Sequence, residues 1–262
     1  MKIGTITFHC AYNFGSALQT YALRKYLTDL GHDVHVIDYR SEDFRNYWIF
    51  RKYGIKSFAV DLLFLPGNLR RRSSFQTFWH RHFNLTKNTY EGTDADLQMA
   101  QDLNDFDAFI CGSDQIWNVY CNDFNYAYFL PFVKSGKRIA YAPSMGAQLS
   151  IKTYKDRKKV IDLLNQYDAI SVREAVGARY IGEITKMPTA SVLDPTLLLN
   201  PQEYDNLIDD KPLIKGEYVF IYSPNFTEKV NEMAEALGDK YNKQVVISQG
   251  LISKDAMLKW GR

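Results

Sequence analysis

Short apolar runs alternate along this chain with stretches of helical periodicity. Ile3 to Phe8, Ala108 to Ile110, Ile139 to Ala142 and Ala169 to Val172 each read as a strand that ends in a small or polar turn. The turns begin at His9, Gly112, Ser144 and Arg173, and a helix-like stretch follows each. Leu18, Tyr21, Ala22, Leu27 and Leu30 recur at helical spacing, so a first helix is expected from Ser16 to Leu30, with Gly31 as its stop. Val34 to Ile37 follows as a second strand, which makes the opening a βαβ unit and the sheet parallel. The fold class this predicts is α/β, a doubly wound and mostly parallel sheet. Neighbouring parallel strands bring all four turns to one rim, where open α/β sheets bind ligands.

The rhythm changes between about 42 and 90, where Trp48, Phe50, Phe58, Phe64, Phe75, Phe78, Trp79 and Phe83 suggest an aromatic insertion of two or three helices. Ile55 to Pro66 is too short and too interrupted by Lys56 and Asp61 to span a bilayer. With Arg70, Arg71 and Arg72 it reads either as a packed helix with a solvated basic loop or as a peripheral membrane contact. His80 and His82, two apart, point to different helix faces, and no metal site is expected from them. Ala190 to Leu193 reads as a further strand, and Pro195 to Pro201 as a linker. A second α/β rhythm then begins with a strand at Tyr218 to Tyr222, a helix at Glu228 to Tyr241 and a strand at Gln244 to Ile247. The organisation expected is therefore a first domain over 1–200 and the start of a second, read as incomplete, over 201–262.

Composition narrows the partners. With 262 residues and 46% hydrophobic content the chain can bury a large core. Its 32 basic and 30 acidic side chains leave a net charge of +2, so no overall field draws it to nucleic acid. Met1 to Ile6 runs straight into a strand pattern without the features of a signal peptide, making the cytoplasm the default address. Cys10, Cys111 and Cys121 fit neither a disulfide framework nor a zinc pattern and read as reduced thiols.

Candidate chemistry lies in the turns. Asn13, Gly15 and Ser16 form a strand-to-helix turn whose free N–H groups favour an anion, and equally a plain turn with Ser16 as N-cap. A dinucleotide fingerprint needs three glycines, and only Gly15 is present, although Asp38 ends the second strand where a ribose-binding carboxylate would lie. In Gly112 to Asn118, Trp117 offers a face on which a sugar could stack, with Asp114 and Asn118 to bond its hydroxyls; the plainer alternative is a core tryptophan with a capping Ser113 or Asp114. Arg173 emerges at a strand end with a fork suited to phosphate or carboxylate, or bridges to Glu174 or Asp168.

Together, Phe8 to Leu23, Gly112 to Asn118, Ala140-Tyr141-Ala142-Pro143-Ser144, Ile170 to Glu174 and Val192-Leu193-Asp194-Pro195-Thr196 resemble the polysaccharide pyruvyltransferase family over most of residues 1–200. The resemblance implies a fold similar to GT-B glycosyltransferases, with a Rossmann-type first domain. It implies transfer of pyruvate from phosphoenolpyruvate, as co-substrate and with no other cofactor, to a saccharide as a ketal in cell-surface polysaccharide assembly. The acceptor would be lipid-linked or nucleotide-linked, at the inner face of the membrane. An arginine in the family's matching segment contacts the donor, a role that carries to Arg173. Asn13, Gly15, Ser16 and Ser144 are further donor-side candidates, and Trp117 and Asn118 acceptor-side candidates. From position alone, His9 and Asp114 are candidates for proton transfer or hydroxyl orientation, and His9 equally for a structural role. The family's later Ser and His-Gly motif has no counterpart here. A nucleotide-sugar glycosyltransferase and a non-catalytic glycan- or partner-binding module remain the alternatives.

Overall fold

The computed structural model of this chain describes residues 1–41, 62, 65–146, 149–208, 212, 214–223 and 227–249. They fall into two compact units, Met1–Glu203 and Tyr204–Arg262. In the first unit, seven strands form one sheet: β1 (Lys2–Ile6), β2 (Asp33–Arg40), β3 (Leu85–Glu91), β4 (Ala108–Cys111), β5 (Lys137–Ala140), β6 (Ala169–Val172) and β7 (Thr189–Ser191). Their order is β3-β2-β1-β4-β5-β6-β7, and every neighbouring pair is parallel. The chain winds outward from β1 to β3, then returns to the other side of β1 for β4. The order therefore reverses between β1 and β4, the place where such sheets open a crevice beyond the strand ends.

Alternation along the strands splits the core in two. Ile3, Ala108 and Ile110 pack with Val34 and with Leu23 of α1 (Phe14–Asp29) on one face. Ile6, Phe109 and Cys111 point the other way, into a larger cluster with Met99 of α3 (Ala95–Asp102), Val160 and Leu164 of α4 (Arg157–Leu164) and Ile181 of α5 (Ala175–Thr185). Helices cover both faces, so the sheet is doubly wound.

The aromatic stretch is organised differently from the expectation of helices alone. Among its described residues a helix, α2 (Leu65–His82), is followed at once by β3, which pairs in parallel with β2. Strand pattern was hidden there because only Thr86 and Tyr90 are buried, with Lys87, Asn88 and Thr89 exposed between them. Residues 42–61 and 63–64, including Trp48, Phe50, Phe58, Phe64 and most of the Ile55 to Pro66 run, lie outside the described residues. Phe75 and Trp79 of α2 are buried against Tyr12, at ring distances of 5.7 and 5.2 Å, and Arg71 Nη2 donates to the Tyr12 carbonyl at 2.5 Å. The turn after β1 is thereby braced from the side. No helix among the described residues is long and apolar enough to cross a membrane.

In the second unit β8 (Tyr218–Ser223) and β9 (Gln244–Gln249) pair in parallel, joined by α6 (Glu228–Tyr241). Gly238 lets α6 approach β9 closely: a Cβ there would stand 2.7 Å from Val245 Cγ2.

Candidate functional site

The rim at the β1/β4 reversal is built from small polar side chains that bond one another. Thr7, just past β1, donates its hydroxyl to the Ser113 carbonyl at 2.9 Å, and Gln19 of α1 accepts from the Ser113 backbone N–H at 3.0 Å while donating to Thr7 Oγ1 at 3.0 Å. Thr7, Gln19 and Ser113 are all buried, so the bonds replace water that these groups lose on folding. The turn after β4 needs Gly112. Its φ is +120°, and a Cβ would lie 2.0 Å from the Tyr141 carbonyl oxygen.

Asn13, and not Ser16, caps α1. Asn13 is extended, and its Oδ1 accepts from the N–H groups of Gly15 at 2.7 Å and Ser16 at 3.2 Å. The Ala17 N–H goes to the Asn13 carbonyl at 3.0 Å. Three of the N–H groups at the helix start are thus already used, which corrects the expectation that Asn13, Gly15 and Ser16 offer them to an anion. The cap releases the Ser16 hydroxyl for another task. It donates to Asp114 Oδ2 at 2.5 Å, tying the turn after β1 to the turn after β4. Asp114 sits in the left-handed region at φ 71°, and its Oδ1 accepts from the Gln115 N–H at 2.8 Å. It remains partly exposed at the rim.

Ser144 supports this pair from below. It is 1% exposed, its N–H donates to the Asp114 carbonyl at 2.8 Å, its carbonyl accepts from Trp117 N–H at 3.2 Å, and its Oγ accepts from Gly146 N–H at 3.1 Å. Ser144 therefore acts as an internal bracket and not as a ligand contact.

Arg173 stands at the end of β6, where its backbone N–H reaches the Pro143 carbonyl at 3.3 Å. Its Nε donates to Glu174 Oε1 at 3.3 Å and its Nη1 to Asp194 Oδ2 at 3.2 Å. Asp168, the other partner considered, pairs with Lys137 at 2.7 Å. Asp194 collects more than Arg173. Its Oδ1 accepts from Thr196 N–H at 3.0 Å and Thr196 Oγ1 at 2.8 Å, and its Oδ2 lies 2.9 Å from Ser113 Oγ. The single Ser113 hydroxyl proton is shared between Asp194 and the Ala142 carbonyl, 3.0 Å away. Burial disfavours the Asp194 charge, but the bonds from Thr196, Ser113 and Arg173 outweigh it and hold the carboxyl below its usual range. Turns after β4, β6 and β7 thus meet at one carboxylate.

Three other expectations do not survive in this geometry: proton transfer by His9, ribose binding by Asp38 and sugar stacking on Trp117. His9 is 1% exposed, with Nε2 on Asp38 Oδ1 at 3.0 Å and Nδ1 on the Thr7 carbonyl at 3.4 Å. Its bonds run inward and toward β2, not to the Ser16–Asp114 pair, so it is an internal histidine. Asp38 is equally enclosed, with Arg40 and Thr89 as further partners, and no ribose can reach it. Trp117 is wholly buried, stacked on Phe129 at 5.2 Å and donating Nε1–H to the Tyr128 carbonyl at 3.3 Å. Its indole has no face open to a sugar. Asn118 stays partly exposed but is engaged locally, donating to Gln115 Oε1 at 2.9 Å and accepting from Tyr120 N–H at 3.2 Å.

Residue type does not mark Thr7, Gln19 or Asp194 as site residues, and it marks Ser113 only as a candidate helix cap. The available signal was Asp194-Pro195-Thr196, in which a carboxylate two residues before a hydroxyl promises a local turn. The site's partners come from turns more than a hundred residues apart in sequence at their extremes, from Thr7 to Asp194.

The rim thus combines one guanidinium, the half-exposed carboxylates of Asp114, Glu174 and Asp194 and a chain of hydroxyls at a topological switch point. That arrangement fits a small anionic ligand beside a hydroxylated one. A search of curated proteins found no match to the chain. A family model, by contrast, matches residues 13–256, which takes in Asp114, Arg173 and Asp194 and runs on through β9, and on that match the chain belongs to the polysaccharide pyruvyl transferase family.

Proposed function

We propose that this transferase uses phosphoenolpyruvate as donor and forms a pyruvate ketal on a saccharide of a cell-surface polysaccharide. The observation that supports this reading best is Arg173 at the β6 end, tied through Asp194 to the turn beside the β1/β4 crevice. Two of its five N–H bonds are spent on Glu174 and Asp194, leaving donors for the carboxylate or phosphate of the donor. Glu174 is 39% exposed and holds Arg173 through a single 3.3 Å contact, so an arriving anion competes with it at modest cost.

The chemistry balances with two acceptor hydroxyls. One proton goes to the methylene carbon of phosphoenolpyruvate, making a methyl group and an electrophilic carbon beside it. The first hydroxyl oxygen bonds that carbon, the second displaces phosphate, and the remaining proton leaves with the phosphate. On this reading Asp114 orients or deprotonates an acceptor hydroxyl, a role supported by its partial exposure and its bond from Ser16. The acceptor is lipid-linked or nucleotide-linked, and the reaction takes place on the cytoplasmic side.

Calorimetric titration of phosphoenolpyruvate tests the donor assignment. Arg173→Lys is expected to weaken binding and Arg173→Ala to weaken it further, by about 1.5 to 3 kcal/mol for a charge-assisted bond, with melting temperature little changed. Unaltered affinity with a large loss of stability would return Arg173 to a purely structural ion pair.

A further inference from the structure

Arg173 carries two carboxylates, and they are held in very different ways. Glu174 is 39% exposed and makes one bond to the guanidinium. Asp194, at 23%, is fixed on both oxygens: Thr196 supplies two donors to Oδ1, and Ser113 shares Oδ2 with Arg173. Asp194 also opens the short 3-10 turn Pro195–Leu197, whose Pro195 is buried. The base of Arg173 is held as well, through its N–H on Pro143 and its carbonyl, which accepts from Ser191 Oγ at 3.3 Å. A long cationic side chain is thereby fixed at both ends, and a preorganised fork loses less freedom when it binds.

We propose that Asp194 is a positioning residue: anchored by Thr196 and Ser113, it holds the Arg173 guanidinium so that its unspent N–H edge is presented to the anionic donor. This rests on the donor role proposed for Arg173. The opposite effect of a carboxylate is to neutralise the cation and repel an anion. If that were all Asp194 did, removing it and removing Glu174 would change anion affinity in the same direction. Positioning separates the two. In Asp194→Asn one amide cannot serve both sides: with its oxygen kept on Thr196, its NH2 faces Arg173 Nη1, donor against donor. Arg173 then loses its anchor.

The experiment compares the wild-type chain with Asp194→Asn, Thr196→Val, Glu174→Gln, Arg173→Ala and the Asp194→Asn/Arg173→Ala double variant. Thr196→Val keeps the Asp194 charge and removes one anchor, and so serves if Asp194→Asn does not fold. Phosphoenolpyruvate dissociation constants are expected to rise about tenfold in Asp194→Asn and about threefold in Thr196→Val, and to fall in Glu174→Gln. The double variant should match Arg173→Ala alone, because Asp194 acts through Arg173. A second readout needs no donor: nitrogen NMR of arginine side chains. The Arg173 guanidinium should show restricted rotation in wild type and Glu174→Gln, free rotation in Asp194→Asn and an intermediate, faster rotation in Thr196→Val. Tighter binding in both Asp194→Asn and Glu174→Gln, additive losses in the double variant, or an Arg173 signal indifferent to Asp194 and Thr196 would each overturn the proposal. If wild type fails to bind phosphoenolpyruvate, the donor reading falls, while the NMR comparison still decides whether Asp194 positions Arg173.

Discussion

Asp38 is 4% exposed and receives His9, Thr89 and both ends of the Arg40 fork, at 3.0 Å from Nε and 2.9 Å from Nη2. Burial alone would raise its pKa, yet the bonds and charges of His9 and Arg40 with the Thr89 hydroxyl prevail and hold it well below the usual carboxylate range. A carboxyl more acidic in the folded than in the unfolded chain stabilises the fold above its unfolded pKa, and that contribution fades as pH falls. The chain should therefore lose stability progressively below about pH 4. Asp38→Asn should cost about 3 kcal/mol at neutral pH by leaving His9 and Arg40 around an uncharged group, and should flatten the acid limb. Denaturant titrations across pH check this. Parallel acid limbs in wild type and variant would contradict it. At this scale burial separates the polar groups near the rim: His9 and Asp38 hold the structure, whereas Asp114 and Arg173 keep an exposed side.

Among the elements, α1 shows how a cap shapes the site. Because Asn13 satisfies Gly15 and Ser16, the Ser16 hydroxyl is available to Asp114 and joins the two sides of the reversal. Asn13→Ala should lower stability by about 1 kcal/mol, measured by thermal or denaturant unfolding. No loss would mean that water or another group caps the helix equally well. The sequence pointed to a turn here but to Ser16 as the cap, since both residue types cap helices and only the backbone geometry chooses. Strands β1, β2 and β4 to β6 were legible because both of their faces meet helices, which gives them near-continuous apolar runs. Edge strand β3 was not, because Thr86 and Tyr90 are its buried positions and the rest read as polar. Trp117 was ambiguous for the opposite reason. Its neighbours in the core, Phe129 and Tyr167, arrive from distant segments that local spacing cannot reveal. Asp194 went unrecognised as a site residue because its importance lies in meeting Ser113 and Arg173, not in its own local pattern.

Over the whole first unit, the parallel order β3-β2-β1-β4-β5-β6-β7 explains why polar residues so separated in sequence become neighbours. Every strand points the same way, so each delivers its following turn to one rim, and the reversal between β1 and β4 keeps helices from closing it. The match over residues 13–256 shows the polysaccharide pyruvyl transferase family, and the function proposed above assigns its chemistry to this rim, with Arg173 held by Asp194 as the cation and Asp114, bonded to Ser16, as the partner of an acceptor hydroxyl. The central claim is that this chain moves pyruvate from phosphoenolpyruvate to a sugar at that rim. The most direct measurement is an incubation of the chain with isotope-labelled phosphoenolpyruvate and a panel of lipid-linked and nucleotide-linked saccharides, following product mass and released phosphate together. The account predicts a labelled, acid-labile ketal formed in step with phosphate, lost in Arg173→Ala and in Asp114→Asn while both variants stay folded. Transfer of a sugar from a nucleotide donor without ketal formation, or ketal formation indifferent to both substitutions, would contradict it.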